Sequence, residues 1–399
     1  MINKRIATAV ATGALLLNSF AAPAFAATNI TLSGNGSESN NTANVNMTKA
    51  NTIVQNNTAN VTNKVDVDAN TGNNDANDNT GGDVKIKTGD SAVGVAVKNM
   101  LNRNSAAVDC CENGDSSVKI SGNGTESDND VDLDMDNSNE LFQDNDAHVK
   151  NDVKVDAKTG KNDADDNTNG DVEIETGDAD VSVGILTFAN SNFGRIGGGN
   201  GGNGGALSLW VNGNGSDSDS YIDADIEKSN TVTQDNAAHI YNDTDVDAET
   251  GDNGANDNTG GEVSIETGDA EVNALVANVG NFNWADLSCD CLFDDVTAKI
   301  ADNGSESDGD IDLDLSGNSE AFQNNYAGLN NDLSDLEAGT GENDAEDNTV
   351  GYGEDPSINT GDADVEAEVV NEFNSNGAGI GGDIEFDFDW DEMFGSIFG

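Results

Sequence analysis

Basic residues are scarce in this chain: Lys+Arg number 16 against 76 Asp+Glu, a formal net charge of −60. A chain so acidic repels nucleic acid and anionic membranes, and its natural partners are cations, either divalent metals or basic surfaces. Aromatic residues make up only 5%, so any core is thin. No apolar run reaches the about 20 residues that a bilayer span needs, which excludes membrane insertion by helices. Histidine is limited to His148 and His239, which follow the same alanine in two different units. An outward strand position explains both without a catalytic role. No cysteine after position 26 is placed to carry a lipid, and none lies near the C-terminus.

What is present begins with Lys4 and Arg5, an apolar stretch from Ile6 to Leu17, and Ala24-Phe25-Ala26 before Ala27. This is the three-part layout of a secretory signal peptide over residues 1–26, and it predicts a secreted protein, extracellular or at the cell surface. Low apolar and aromatic content with high charge also leans toward disorder. Regular apolar positions argue the other way.

Those positions recur in four units. TGNNDANDNTGG, from Thr71, returns from Thr159, Thr250 and Thr340 as TGxNxAxDNT, and each copy is followed by TGD. Each unit opens on GNGSES or a close variant, at Gly34, Gly122, Gly213 and Asp302, and carries Q[ND]NxA at Gln55, Gln143, Gln234 and Gln323. The unit boundaries are 27–112, 113–205 (ending in the Gly-rich linker Gly197–Gly205), 206–295 and 296–399. A fixed period of this length marks a repeat architecture whose units bury their apolar faces by stacking.

Within the units, DNDVDLDMD places Val131, Leu133 and Met135 on one face and Asp130, Asp132, Asp134 and Asp136 on the other. DGDIDLDLS repeats this with Asp308, Asp310, Asp312 and Asp314. Period-two alternation is that of a half-buried strand. The predicted fold is all-β and elongated, a β-solenoid or β-helix of four units, with tandem immunoglobulin-like sandwiches as the alternative. The steps of 17 residues between the two recurring alanines (Ala147 to Ala164) and 15 to the residue after TGD (Ala164 to Ala179) read as successive solenoid rungs. Charge is graded, from −3 in the first unit through −14 and −19 to −26 in the last.

Chemistry is less marked. The eight aspartates just named are candidates for diffuse divalent binding, and calcium is the one cofactor considered; none is required. Asp75, Asn77 and Asn79, like Asp163, Asp165 and Asn167, sit at EF-hand spacing without that loop's glycine and terminal glutamate. Ser91 in Gly89-Asp90-Ser91 is replaced by alanine in the other units, so it reads as a small inward residue. Cys110, Cys111, Cys289 and Cys291 are disulfide candidates; if the units follow one another along a rod, Cys110 and Cys289 are too far apart to pair. Local pairs or bridges between molecules remain. Ile384, Phe386, Phe388 and Trp390 alternate with acids in the tail, as the last core strand or as a strand for self-association.

At Gln55, Asn57 and Ala59 and their counterparts the chain resembles curlin repeats, whose Gln, Asn and Ala recur in stacked β-arches of secreted fibres. It departs from them in its Thr-Gly-Asp turns and its acidity, which weighs against amyloid-type assembly. More closely it resembles bacterial surface proteins with TGxNxAxxNTGG repeats, a likeness that implies no biochemical activity. The functional expectation is a non-enzymatic, structural or adhesive surface protein, such as a filament subunit, surface coat or matrix component. An extracellular calcium-dependent cation-binding module is the alternative, and a carbohydrate-active β-helix enzyme comes third.

Overall fold

Alternation with period two turns one face of a strand toward a core, and over Asp128–Lys158 the chain forms a single strand of 31 residues. The computed structural model describes residues 5–12, 15–17, 28–108, 115–197, 205–288, 295–350 and 355–380. Its strands are β1 (Arg5–Thr12) and β2 (Leu15–Leu17), then four repeating sets. The first set is β3 (Asn29–Ser33), β4 (Asn40–Asn70), β5 (Val84–Lys87) and β6 (Ser91–Val108). The second is β7 (Ser116–Ser121), β8 (Asp128–Lys158), β9 (Val172–Glu175) and β10 (Ala179–Gly197). The third is β11 (Ala206–Asn212), β12 (Asp219–Glu249), β13 (Val263–Glu266) and β14 (Ala270–Ser288). The fourth is β15 (Asp295–Ala301), β16 (Asp308–Gly339), β17 (Ser357–Asn359) and β18 (Ala363–Ile380).

Equivalent strands pair in parallel, giving sheets β3-β7-β11-β15, β4-β8-β12-β16, β5-β9-β13-β17 and β1-β6-β10-β14-β18, with β2 also on β6. Gln55 lies beside Gln143, Gln143 beside Gln234, and Gln234 beside Gln323. Each repeat is therefore one rung of a β-solenoid. Immunoglobulin-like sandwiches are overturned, because their strands pair antiparallel inside a unit and these pair in parallel between units.

The reading of 17- and 15-residue steps as rungs is also corrected. Ala147, Ala164 and Ala179 belong to one rung, and each stacks on its counterpart in the next: Ala147 beside Ala238, Ala179 beside Ala270. Those distances measure the path around a rung, and the whole unit measures the rise. The consequence is a change of shape. A 31-residue strand is about 100 Å long at roughly 3.3 Å per residue, whereas four rungs span only about 14 Å from first to last at roughly 4.8 Å per step. The protein is elongated along its strands rather than along the solenoid axis.

Each rung is a flattened loop. β8 runs outward, and β10 returns against its second half, where Val153, Val155 and Ala157 meet Val181, Val183 and Ile185 in one apolar cluster. β7 covers the first half, with Val118 and Ile120 against Val131, Leu133 and Met135. The return strands bend at Asn102, Asn190, Asn281 and Asn374, which have φ of 54° to 67°. Asparagine tolerates this left-handed conformation, and one residue drops out of the ladder there.

The TGxNxAxDNT motif turns the far corner. Thr159 Oγ1 donates to the carbonyl of Gly177 in TGD at 2.7 Å, and Thr250 does the same to Gly268 at 2.9 Å. The two halves of the motif thus close one loop. Asn162 Nδ2 donates to the Thr159 carbonyl at 3.0 Å within the turn and to Asn253 Oδ1 at 2.8 Å on the next rung. Glycine follows the threonine because the rungs touch there: a Cβ on Gly160 would lie 1.8 Å from the Gly251 carbonyl oxygen.

The four cysteines, the linker centre (198–204) and the tail with Ile384, Phe386, Phe388 and Trp390 lie outside the described residues. The strands flanking the cysteine junctions do correct the premise used to exclude a Cys110–Cys289 pair. Val108 at the end of β6 and Leu287 near the end of β14 both pair with Ile196, from opposite sides. These strand ends are two spacings apart, about 10 Å, because a unit advances the axis by only one strand.

Gly160→Ala is expected to lower thermal stability by about 3 kcal/mol or more, since backbone, not a flexible side chain, must yield. Chemical denaturation of this variant beside wild type measures it.

Candidate functional site

In-register stacking makes every side chain the neighbour of its own counterpart, so chemistry is set out in columns perpendicular to the strands. Two kinds stand out.

The first is buried and neutral. In the middle of the rung, amides fill the space between the long strand and its return partner. Asn145 Nδ2 donates to Asn192 Oδ1 across the rung at 2.8 Å and to Asn236 Oδ1 on the next rung at 3.0 Å. Asn192 Nδ2 reaches Asn236 and Asn283, both at 3.0 Å. Beside them runs a glutamine column in the opposite sense, Gln143 to Gln55 and Gln234 to Gln143, each at 2.8 Å, with Gln143 also donating to the Phe193 carbonyl at 3.0 Å. Asn145 and Asn192 are fully buried. Buried amides are costly unless satisfied, and here each rung satisfies the next. The Gln, Asn and Ala of Q[ND]NxA are therefore core residues.

The second kind is outward and charged. Asp132 stands between Asn44 and Asp223, and Asp223 next to Asp312. Asp134 stands between Asn46 and Asp225, and Asp225 next to Asp314. Asp130 neighbours Thr42 and Tyr221, which neighbours Asp310; Asp136 neighbours Thr48 and Glu227; Asp308 lies beside Asp219. The structure thus brings the two predicted groups of aspartates together through Asp223 and Asp225, which the sequence reading passed over because DSYIDADIE alternates less cleanly than its neighbours. Aligning the units position by position exposes them.

Mutual repulsion marks these columns. Asp223 is pushed above the usual aspartate range by partial burial and by Asp312, Asp132 and Asp225; Asp134 is raised by partial burial and by Asp136, Asp225 and Asp132. Asp144 and Asp163 shift the same way, chiefly through burial with neighbouring carboxylates adding to it. Where a base is present the sign reverses: Glu175, hydrogen-bonded by Lys85 and Lys87, is lowered to about 2. Among the described residues no three His, Cys, Asp or Glu side chains form a group that could hold a metal ion.

The EF-hand-like positions serve the stack. Asn77 Oδ1 accepts from the Asp165 N–H at 2.7 Å, and Asn167 Oδ1 accepts from the Asn79 N–H at 2.9 Å. His148 and His239 stack outward with ring centroids 4.8 Å apart and planes 3° from parallel, Tyr326 tilts over His239 at 5.2 Å, and His148 Nε2 lies 3.3 Å from Asp146. A shallow groove runs past Asn60, His148, His239 and Gly328. Ser91 is buried and donates to the Ala69 carbonyl at 2.6 Å, which fits its reading as a small inward residue.

No protein-family model, curated protein or solved structure matches this chain.

Two outcomes follow from the columns. Asn192→Ala removes one hydrogen bond each from Asn145, Asn236 and Asn283 and is expected to cost about 2–4 kcal/mol, read by denaturant unfolding. Asp134, Asp144, Asp163 and Asp223 have folded-state values above the free aspartate value of 3.8, so their charged forms oppose folding. Stability should rise as pH falls from neutrality through those raised values toward 3.8, and the gain should be complete below it. Glu175, lowered to about 2 from 4.5, works the other way and loses its contribution as pH drops below 4.5. The melting temperature should therefore pass through a maximum on the acid side of neutrality.

Proposed function

We propose that this protein is an exported structural element of the cell surface: a filament subunit, coat or matrix component, non-enzymatic and without a required cofactor. The observation that carries the reading is the continuity of the columns. Apolar, amide and turn contacts recur from rung to rung, as from Asn35 to Asn123, Asn214 and Asn303 at 3.0, 3.2 and 3.3 Å, with few substitutions such as Thr187 beside Asn99 and Ser319 beside Asn230. An enzyme needs one constellation that differs from its surroundings, and repetition of the same contacts serves a scaffold. The basic and apolar start of the chain supports export.

A second reading has a specific observation in its favour. The aspartate columns repel one another at one strand spacing, and divalent cations between carboxylates would relieve that repulsion. Calcium then acts as a loosely held counter-ion that stiffens the secreted protein rather than as a fixed cofactor.

Cell fractionation with immunogold microscopy tests the first reading: the protein should decorate the outer surface or its matrix, and retention in the cytoplasm would sink it. Melting in millimolar calcium against chelator tests the second. Calcium should raise the transition temperature and Asp223→Asn should reduce that rise; identical curves would remove the counter-ion role.

A further inference from the structure

We infer that the two open ends of the solenoid are an interface for a second copy of this chain, stacked head to tail, and that residues 5–17 occupy the first of those ends until they are removed. The inference rests on the reading of residues 1–26 as an export signal.

Among the described residues no strand pairs with the far side of the last rung. Val365, Val369, Ile300, Ile358 and Leu315 are 43, 44, 47, 45 and 41% exposed, whereas their partners on the third rung, Val272, Val276, Val211, Ile265 and Ile226, are at most 3% exposed. Natural solenoids close such ends with polar capping repeats, because an open rung offers both apolar side chains and unpaired backbone. Here the end keeps the inward pattern of the rungs beneath it.

The first rung is different. Val93, Val95 and Val97 are 4, 4 and 1% exposed, and β1 pairs in parallel along this edge, Arg5 beside Val93 through Thr12 beside Met100, with Leu15–Leu17 beside Arg103–Ser105. These places belong to the repeat. Following the register up the sheet, Val93 corresponds to Val181, Val272 and Val365, and Arg103 to Ser191, Phe282 and Ser375. The N-terminal segment therefore sits where a second copy's Val365–Glu372 and Ser375–Gly377 would lie. Its removal frees the edge.

Hydrogen bonding and charge fit one orientation. The column from Asn57 donates upward to Asn145, Asn236 and Asn325, leaving an acceptor on the first rung and a donor on the last. The glutamine column from Gln323 down to Gln55 leaves the reverse. Head-to-tail stacking joins both. It also sets Asn44 and Asn46 of one copy on Asp312 and Asp314 of the other, and Lys64 on Asp332, repeating the 3.0 Å contact that Asn46 already makes with Asp134. Tail-to-tail contact would set aspartate on aspartate. The gradient of charge from unit to unit thus gives the stack its direction.

Glycines supply a test that leaves the single molecule intact. A Cβ on Gly72, Gly160 or Gly251 would meet the next rung's glycine carbonyl at 1.8 Å, but one on Gly341 meets nothing within 4 Å. A Cβ on Gly124, Gly215 or Gly304 would meet the rung before it at 2.4 to 2.5 Å, but one on Gly36 meets nothing. In a head-to-tail stack Gly341 of one copy faces Gly72 of the copy above it, whose Gly36 in turn faces the first copy's Gly304 region. Gly341→Ala and Gly36→Ala should be silent in the monomer and obstructive in the stack.

The experiment takes the exported protein, reads its first residue by mass spectrometry, and follows assembly by analytical centrifugation and electron microscopy. Expected are filaments with a repeat of about 4.8 Å along the axis from protein starting at Ala27, monomers from the full chain recovered before export, and thresholds for assembly raised more than about tenfold by either glycine variant at unchanged melting temperature. Exported protein that starts at Ala27 and stays monomeric, or whose Gly36→Ala and Gly341→Ala forms assemble like wild type, overturns the stacking. Exported protein that retains residues 1–26 overturns the export reading on which it rests.

Discussion

Parallel stacking in register, one strand spacing per repeat, is the constraint on which everything else in this molecule depends. With equivalent residues about 4.8 Å apart, each position must tolerate its own kind as a neighbour. Valine, isoleucine and alanine do so by packing, asparagine and glutamine by passing a hydrogen bond along the column. Glycine does so where backbones touch, as at Gly160 against Gly251. Aspartate does so poorly: burial first, and the neighbouring carboxylates after it, raise Asp223 and Asp134 above the usual aspartate range. The sequence repeats because the neighbour of every residue is that residue's counterpart.

This constraint also explains the composition. A rung only two strands thick has no centre for large side chains, and its interior alternates short apolar residues with amides satisfied along the axis. Asn145 and Asn192 are as deeply buried as Leu133 and Ile174, so low hydrophobicity does not imply a missing core here. High charge with few aromatics, which in an isolated domain favours disorder, is compatible with order when the polar half of the interior is paired rung to rung.

Function is read most directly from what differs between rungs. Most interior columns keep their residue type from rung to rung, whereas the outer aspartate columns, neutral at Asn44 and Asn46 and acidic from the second rung onward, and the coverage of the two ends change. A scaffold that grows along its axis would need those differences at its ends and only sameness within.

The amino-acid sequence by itself determined the repeat, its four copies, the strands with their inward and outward faces, and the turns. These depend on local alternation and on glycine, asparagine and threonine at corners, which a linear reading displays. It also showed Ser91 as inward and both histidines as outward, since comparing units already compares stacked neighbours. What only the tertiary structure decided was which distance is the rung. Ala147 and Ala164 look like successive steps in a line of residues, yet they lie in one rung, because pairing is settled by strands that meet across about 90 residues of chain. From that single choice follow the slab in place of a rod, the junction strands two spacings apart, the aspartates gathered through Asp223 and Asp225, and the bend at Asn102 whose side chain reaches the Asp146 carbonyl at 2.7 Å. Local pattern fixes how a strand presents its faces; only long-range pairing fixes which face it meets.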